Sequence, residues 1–479
     1  VLKAYTNKTS HELIAFDNQM KQVSQSEFKL SYKGNKSFLY DIFIVDGQLV
    51  LLSTSALTKP KRLLLTMSTL DLKTLQPSGT PKLLHEIPME STMKIGNYHV
   101  TQSPDQKNIL VVASFPKDRG SLTKFETFTI DSNLTVKKRG SIKFSQPEYL
   151  GMPIKSLIPL GDAGDFASTG FDPFFSPSSI KLSNAGDISI TTTYKEGKIL
   201  SKISATDYVG YNIYHLPTGE AAFKKYDLKS NGKKMREVRT VTHPNGYLIC
   251  AGLYGEKNSK YLDGYFTMNL SLGSTNLYPF EMDFLSQTYS SKDDCKPKNN
   301  RPTKIGYRIE DIHFQGLQVM EDGTMILLGD EYTRVVRSGG NALNNTQSTS
   351  VTYYPYDVVY IKLNPIGGEI WKTLIRKRQK GGTSFNRYGY AVKGNQTYIM
   401  FNNMATDTPD LPSGKPEIGK DGIAFVTLDE NGNSSRKGLV DPSLKKGYFD
   451  AHHSKQISPT EWIVRFQKNK KIYYAKISL

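Results

Sequence analysis

A turn followed by an apolar run recurs along the whole chain, and this repeat restricts the fold more than any other feature. Turns at positions 46, 105, 186, 245, 322, 394 and 459 precede runs at 48–53, 109–114, 187–193, 247–251, 324–329, 397–401 and 462–466. Asp46-Gly47, Asn245-Gly246 and Asp322-Gly323 supply the positive φ that a tight hairpin turn needs. A strand-like run comes before each turn, and a third run follows at 63–70, 125–130, 211–216, 264–270, 358–363, 423–428 and 472–477. A fourth, more polar run often closes the unit, as at 81–87, 136–144, 222–228 and 369–375. Four antiparallel strands with apolar inner members and a polar outer edge make a β-propeller blade. No stretch carries the apolar spacing of an amphipathic helix, so an α/β reading is poor.

The expected fold is therefore all-β: a single β-propeller over 1–479, with seven four-stranded blades. Six or eight blades are the alternatives. The seventh repeat stops after its third strand at Leu479. An open ring would leave an unpaired sheet edge. The segment 21–30 reads as the missing outer strand that closes the ring, with the blades over 31–479. The apolar run at 12–16 reads as one strand more than that scheme needs, and an extra partial blade is the competing account.

The chain has 479 residues, with 62 Lys+Arg against 45 Asp+Glu and a formal net charge of +17. That balance favours anionic partners. The short basic clusters, at 137–139, Lys233-Lys234, 376–378 and 468–471, are scattered and belong to no nucleic-acid fold signature. They read as a solvated basic surface. No apolar run approaches the roughly 20 residues of a spanning helix. Two cysteines, Cys250 and Cys295, are too few for a disulfide framework or a cysteine-rich zinc site. Cys250 lies in an apolar run and reads as a small buried hydrophobe, although one bridge between the two is open. The chain opens at Val1, which a cleaved export signal or a trimmed terminus would explain.

In a four-strand meander the first-to-second and third-to-fourth connections emerge at one end, and the remaining connections at the other. The first set is short here. The second carries the excess length, at 145–177, 195–210, 285–311, 333–352 and 405–421. Insertions on one side of a repeat fold mark a binding face. The side chains expected to meet a partner there are Phe174, Phe175, Tyr353, Tyr354 and Tyr356 as aromatic anchors, with Arg301 and Arg308 for charge. The same aromatics could instead pack the long loops down.

Catalytic constellations are scarce. His452-His453 with Asp450 is the one His/Asp cluster, and only one of two adjacent strand residues can face inward, so no metal site is assigned. Asp162, Asp165, Asp172 and Asp207 fall on long loops with no spacing that ties them into a glycosidase pair. No Gly-x-Ser-x-Gly elbow or glycine-rich phosphate loop occurs. No catalytic residue and no cofactor is expected.

Over about 310–405 the chain resembles uncharacterised propeller-like proteins exported by Bacteroidota. The residues that carry this are Asp-Gly-Thr-Met-Ile-Leu-Leu-Gly-Asp-Glu-Tyr at 322–332, Tyr-Tyr-Pro-Tyr-Asp-Val-Val-Tyr-Ile-Lys-Leu at 353–363, Gly-Glu-Ile-Trp at 368–371, Arg-Lys-Arg-Gln at 376–379 and Tyr-Ile-Met-Phe-Asn-Asn at 398–403. The resemblance implies an exported protein, periplasmic or at the cell surface. The expected function is a non-enzymatic scaffold of the bacterial cell envelope that docks a protein partner or an outer-membrane assembly. An anionic surface is a further possible partner, and neither specific nucleic acid nor a membrane span is expected. The alternative is a glycan-binding or glycan-hydrolysing propeller with its site at the channel mouth.

Overall fold

The computed structural model describes residues 2–6, 10–89, 96–116, 122–150, 180–195, 209–228, 233–256, 261–281, 284, 309, 311–341, 346–377, 388–402, 423–439, 448–468 and 471–479. The chain divides into two units, the first over 1–231 with 240–242 and the second over 232–239 with 243–479.

The first unit opens with a three-stranded antiparallel sheet of β1 (Leu2–Thr6), β2 (His11–Phe16) and β3 (Gln22–Phe28). A five-stranded meander follows: β4 (Leu30–Tyr32), β5 (Asn35–Val45), β6 (Gln48–Thr58), β7 (Lys61–Leu70) and β8 (Pro77–Pro88). Next comes a four-stranded meander of β9 (Asn97–Gln102), β10 (Ile109–Pro116), β11 (Leu122–Ile130) and β12 (Val136–Leu150). Another is built from β13 (Ile180–Leu182), β14 (Ile188–Lys195), β15 (Val209–Leu216) and β16 (Lys224–Leu228). These two are joined where Glu148 and Leu150 of β12 pair with Tyr194 and Thr192 of β14.

The remaining strands are β17 (Lys233–Thr242), β18 (Leu248–Glu256), β19 (Gly264–Asn269) and β20 (Ser274–Pro279), then β21 (Asp311–Val319), β22 (Met325–Asn341), β23 (Thr346–Leu363) and β24 (Glu369–Ile375). They are followed by β25 (Tyr388–Lys393), β26 (Gln396–Phe401), β27 (Ile423–Leu428) and β28 (Ser434–Leu439), and by β29 (Tyr448–Ser458), β30 (Glu461–Lys468) and β31 (Lys471–Ser478). Each of these groups is an antiparallel meander in chain order, the last with three strands. Gln22–Phe28, within the segment expected as the outer strand that completes the seventh blade, pairs with His11–Phe16 from Phe28 opposite His11 to Gln22 opposite Phe16. Among the described residues no helix is long and apolar enough to cross a membrane.

The hairpin chemistry behaves as the sequence predicts. Asp46 and Gly47 both take positive φ, 47° and 79°, in the two-residue turn between β5 and β6. That is the geometry whose twist matches its flanking strands.

Unbroken apolar runs arise because inner strands are buried on both faces. Leu49 and Leu51 of β6 point back to Leu13 and Phe28 of the sheet before. Val50 and Leu52, on the opposite face, point forward to Tyr98, Ile109 and Val111 of the next. In β10 the alternation repeats, with Leu110 and Val112 packing forward on Ile188 and Ile190. The second unit does the same. Ile326 and Leu328 meet Ile399 and Phe401, while Met400 turns to Trp462 and Val464. Sheets stacked face to face in chain order, with polar outer strands such as β20, are the construction of propeller blades.

The short turns also tie neighbouring sheets together. Asp105 N–H donates to Asn184 Oδ1 at 2.9 Å, and His243 Nε2 donates to Gly323 O at 2.8 Å. Trp371 Nε1 donates to Glu430 O at 3.1 Å. Gly432, at φ 84°, lies so close to the Trp371 ring that a Cβ there would sit 3.2 Å from it.

Candidate functional site

Phe174, Phe175, Arg301 and Arg308 lie outside the described residues, as do 405–421 and Asp162, Asp165, Asp172 and Asp207. Tyr353, Tyr354 and Tyr356 lie on β23, where Tyr353 pairs with Arg334 and Tyr354 with Thr333. The segment 333–352, expected as a loop, is largely a paired ribbon that prolongs the β22–β23 hairpin out to Asn341 opposite Thr346. Residues 145–150, expected to open a loop, extend β12. In both cases backbone pairing continues beyond the expected strand end, which satisfies the N–H and C=O groups of the added segment. Asp450 is buried, with Arg465 Nη1 at 3.5 Å from Oδ2. Cys250 is a buried free thiol whose pKa burial pushes up to about 12, as expected of a small hydrophobe.

The structure brings together a set of residues that the sequence reading did not group. A cavity of about 600 Å³ is lined by Lys138, Arg139, Lys143, Tyr214, Phe223 and Lys225 among others, with no acidic residue in its lining. A β-bulge builds one wall. Lys138 pairs with Phe128 and Gly140 with Thr127, so Arg139 is left unopposed. An extra residue in one strand re-aims its side chain. Arg139 Nη2 reaches Gly186 O at 3.3 Å. Gly140 beside it lies close to the same wall, since a Cβ there would meet the Phe223 ring at 3.0 Å, a tight contact.

The floor of this groove rests on a buried carboxylate. Glu148 is 1% exposed and accepts hydrogen bonds from Tyr214 OH at 2.7 Å, Asn212 Nδ2 at 2.9 Å and Thr192 Oγ1. Buried anions persist only when hydrogen-bonded in this way. Burial, reinforced by Glu148, holds the Tyr214 phenol well above its ordinary pKa, so it stays a donor. Lys225 Nζ lies 5.8 Å from the Tyr214 ring centroid and 3.9 Å from Glu148 Oε1. Lys138 and Lys143 are exposed and have no ion-pair partner among the described residues. The groove therefore carries an excess of positive charge at its mouth.

A second polar network lies in the other unit. Glu237 accepts from Arg239 Nη2 at 2.7 Å, and its other oxygen is 3.3 Å from His313 Nδ1. Burial alone would raise the Glu237 pKa, but Arg239 and His313 outweigh it and hold the carboxyl below its ordinary range. Glu237 also has φ 52°, an unusual value for a side-chain-bearing residue. His313 pairs across the ladder with Asp330, and Asp330 Oδ1 accepts from Lys377 Nζ at 2.9 Å. Lys377, read as part of a solvated basic cluster, is fully buried. The partner that makes this possible is on a strand far away in sequence.

No protein-family model and no curated protein matches the chain. Solved structures do. A protein of unknown function from Dyadobacter fermentans is 10% identical, with 83% of this chain and 97% of that chain covered at a TM-score of 0.35. A protein of unknown function from Bacteroides caccae is 9% identical over 78% of this chain and 92% of its own, at a TM-score of 0.25. An alpha-L-arabinanase from Penicillium chrysogenum is 11% identical over 73% of this chain and 89% of its own, at a TM-score of 0.31.

Proposed function

We propose that this chain is a non-enzymatic binding module of the bacterial cell envelope, exported to the periplasm or the cell surface, which docks a protein partner or an outer-membrane assembly. The observation that carries the reading is the groove beside Arg139, whose lining includes Lys138, Lys143 and Lys225 together with Phe223 and Tyr214. Cations beside an aromatic ring suit an anionic partner surface. The buried carboxylates Glu148, Glu237 and Asp330 are held by internal donors, which suits a scaffolding role for them. Seven blades, closed by the N-terminal segment, form the frame in this reading. The aromatic and arginine residues of the long connections, Phe174, Phe175, Arg301, Arg308, Tyr353, Tyr354 and Tyr356, belong to its partner-binding surface. No cofactor is needed.

The test is capture of an envelope protein by the native chain, followed by reconstitution of the complex from the two purified proteins. A stoichiometric complex that weakens with salt supports the reading. Failure to reconstitute, together with release of reducing sugar from envelope polysaccharides by the purified chain, would replace it with the glycan-hydrolysing alternative.

A further inference from the structure

The cations that line the groove are not equivalent. The β11–β12 register sets Lys138 opposite Phe128 and Lys143 opposite Lys124, on the face of β12 turned away from Phe223. Gly140 and Ile142 stand opposite Thr127 and Phe125, on the face that meets Tyr214 and Phe223. The bulge turns Arg139 to that face as well, since its Nη2 donates to Gly186 O at 3.3 Å in the turn before β14. Lys225 stands opposite Tyr214 and shares the groove, but its Nζ is 3.9 Å from the buried Glu148 carboxylate. Arg139 is half-buried, and no carboxylate among the described residues pairs with it. Gly186 O takes one of its N–H groups, which leaves most of a planar fork that matches a carboxylate. Apolar surface lies beside it, from exposed Ala221 and Ala222 and the half-buried Phe223. The turn that holds Gly186 closes this end of the groove, because a Cβ on Gly186 would lie 3.1 Å from Thr218 Oγ1 and 3.7 Å from Arg139 Nη1. A ligand chain that reaches the guanidinium must end there.

We propose that this groove captures the C-terminus of the protein partner, with the terminal carboxylate on Arg139 and an apolar last side chain against Ala221, Ala222 and Phe223. The inference rests on the protein-docking reading and names the partner element that anchors it. A cavity of about 600 Å³ is in the size range of ligand clefts, roughly 300–1,000 Å³. The carboxylate accepts two N–H groups from the guanidinium, and charge-assisted bonds of this kind are the strong ones. The apolar side chain keeps water from the pair, which strengthens it. An interior Asp or Glu fits less well, because its main chain has to continue past the turn at Gly186.

The experiment is fluorescence anisotropy on the full chain with a peptide labelled at its N-terminus and ending in Ala-Val-Phe with a free carboxylate. Controls are the same peptide as its C-terminal amide, an amidated peptide with an interior Glu, and inorganic phosphate and oligogalacturonate as competitors. The expected result is binding of the free-carboxylate peptide, affinity about 10–100-fold lower for both amidated peptides, and no displacement by either competitor at millimolar concentration. Arg139→Gln should cost the same factor. Arg139→Lys keeps the charge without the fork and should recover only part of that loss. Lys73→Gln, on an exposed turn of another sheet, removes the same net charge and should leave the affinity unchanged. Equal binding of an amidated peptide, displacement by phosphate or by oligogalacturonate, or full recovery in Arg139→Lys would each overturn capture of a terminus. If Arg139→Gln still reconstitutes the partner complex at the parent affinity, docking stands and its anchor lies elsewhere. If the parent chain forms no such complex, the docking reading itself falls, whatever the peptides do.

Discussion

Replacing Lys377 by Met tests whether the buried pair with Asp330 is held by mutual dependence. The two charges are 2.9 Å apart, with side-chain exposures of 0% and 4%. At an effective dielectric of about 20 their attraction is about 6 kcal/mol. Removing each from water costs several kcal/mol, so the intact pair nets little. Removing one partner is different, because the other stays buried and unmatched. Lys377→Met should cost about 3–5 kcal/mol. With about 2–4 °C of melting temperature per kcal/mol for a unit of this size, the drop is about 6–20 °C. Asp330→Asn combined with Lys377→Met should recover most of that loss. The bond from the Lys377 backbone N–H to Asp357 survives both changes. Urea unfolding of the two single variants and the double variant gives the coupling energy. Additive losses, or a single-variant cost below about 1 kcal/mol, would refute the account.

Further outcomes follow from other sites. Burial pushes the His99 imidazole down to about 4. The unfolded chain therefore binds the extra proton first, and stability is lost as pH falls from about 6.5 to 4, by up to about 3 kcal/mol. His99→Gln should flatten that part of the urea-midpoint profile against pH, and an unchanged slope would exclude His99 as its source. Gly264→Ala places a Cβ 2.2 Å from Tyr278 O in the neighbouring strand, so backbone must move. A loss of about 1–3 kcal/mol is expected in urea unfolding. Joining Tyr332 to Pro355 by a short turn removes the outer ribbon but keeps the ladder from Met325 to Asp330 opposite Val358 to Leu363. Calorimetry should show a nearly unchanged melting temperature, with partner affinity reduced; unchanged affinity would remove Tyr353 and Tyr354 from the binding surface.

Much of the backbone plan was legible because its signals are local. Asp46-Gly47, Asn245-Gly246 and Asp322-Gly323 dictate their own turns, and each apolar run after them is an inner strand. The β22–β23 ribbon is hidden in the sequence because Gly339-Gly340 and the Ser/Thr-rich stretch beyond it have loop composition. Val335, Val336, Val351 and Thr352 were the β-branched signal that could have marked it. The groove was illegible for a different reason. Arg139 and Lys225 come together only through the packing of two sheets, and nothing near Lys138 in sequence announces Phe223. Lys377 shows the same limit, since its counter-charge comes from β22.

Two-faced burial of the inner strands has a consequence for the order in which the chain must be made. When β6 and β7 emerge during synthesis, Leu49 and Leu51 already have Leu13 and Phe28 to cover them, but Val50, Leu52, Leu65 and Met67 do not. Their cover is Tyr98, Ile109, Val111 and Ala113, which arrive later. Within the first unit the growing chain thus presents an uncovered apolar sheet face that the next sheet closes as it arrives. Such a face is prone to aggregation while it waits. A pause in elongation just after β7 leaves Val50, Leu52, Leu65 and Met67 uncovered, and one just after β11 leaves Leu110, Val112 and Phe125 uncovered in their place.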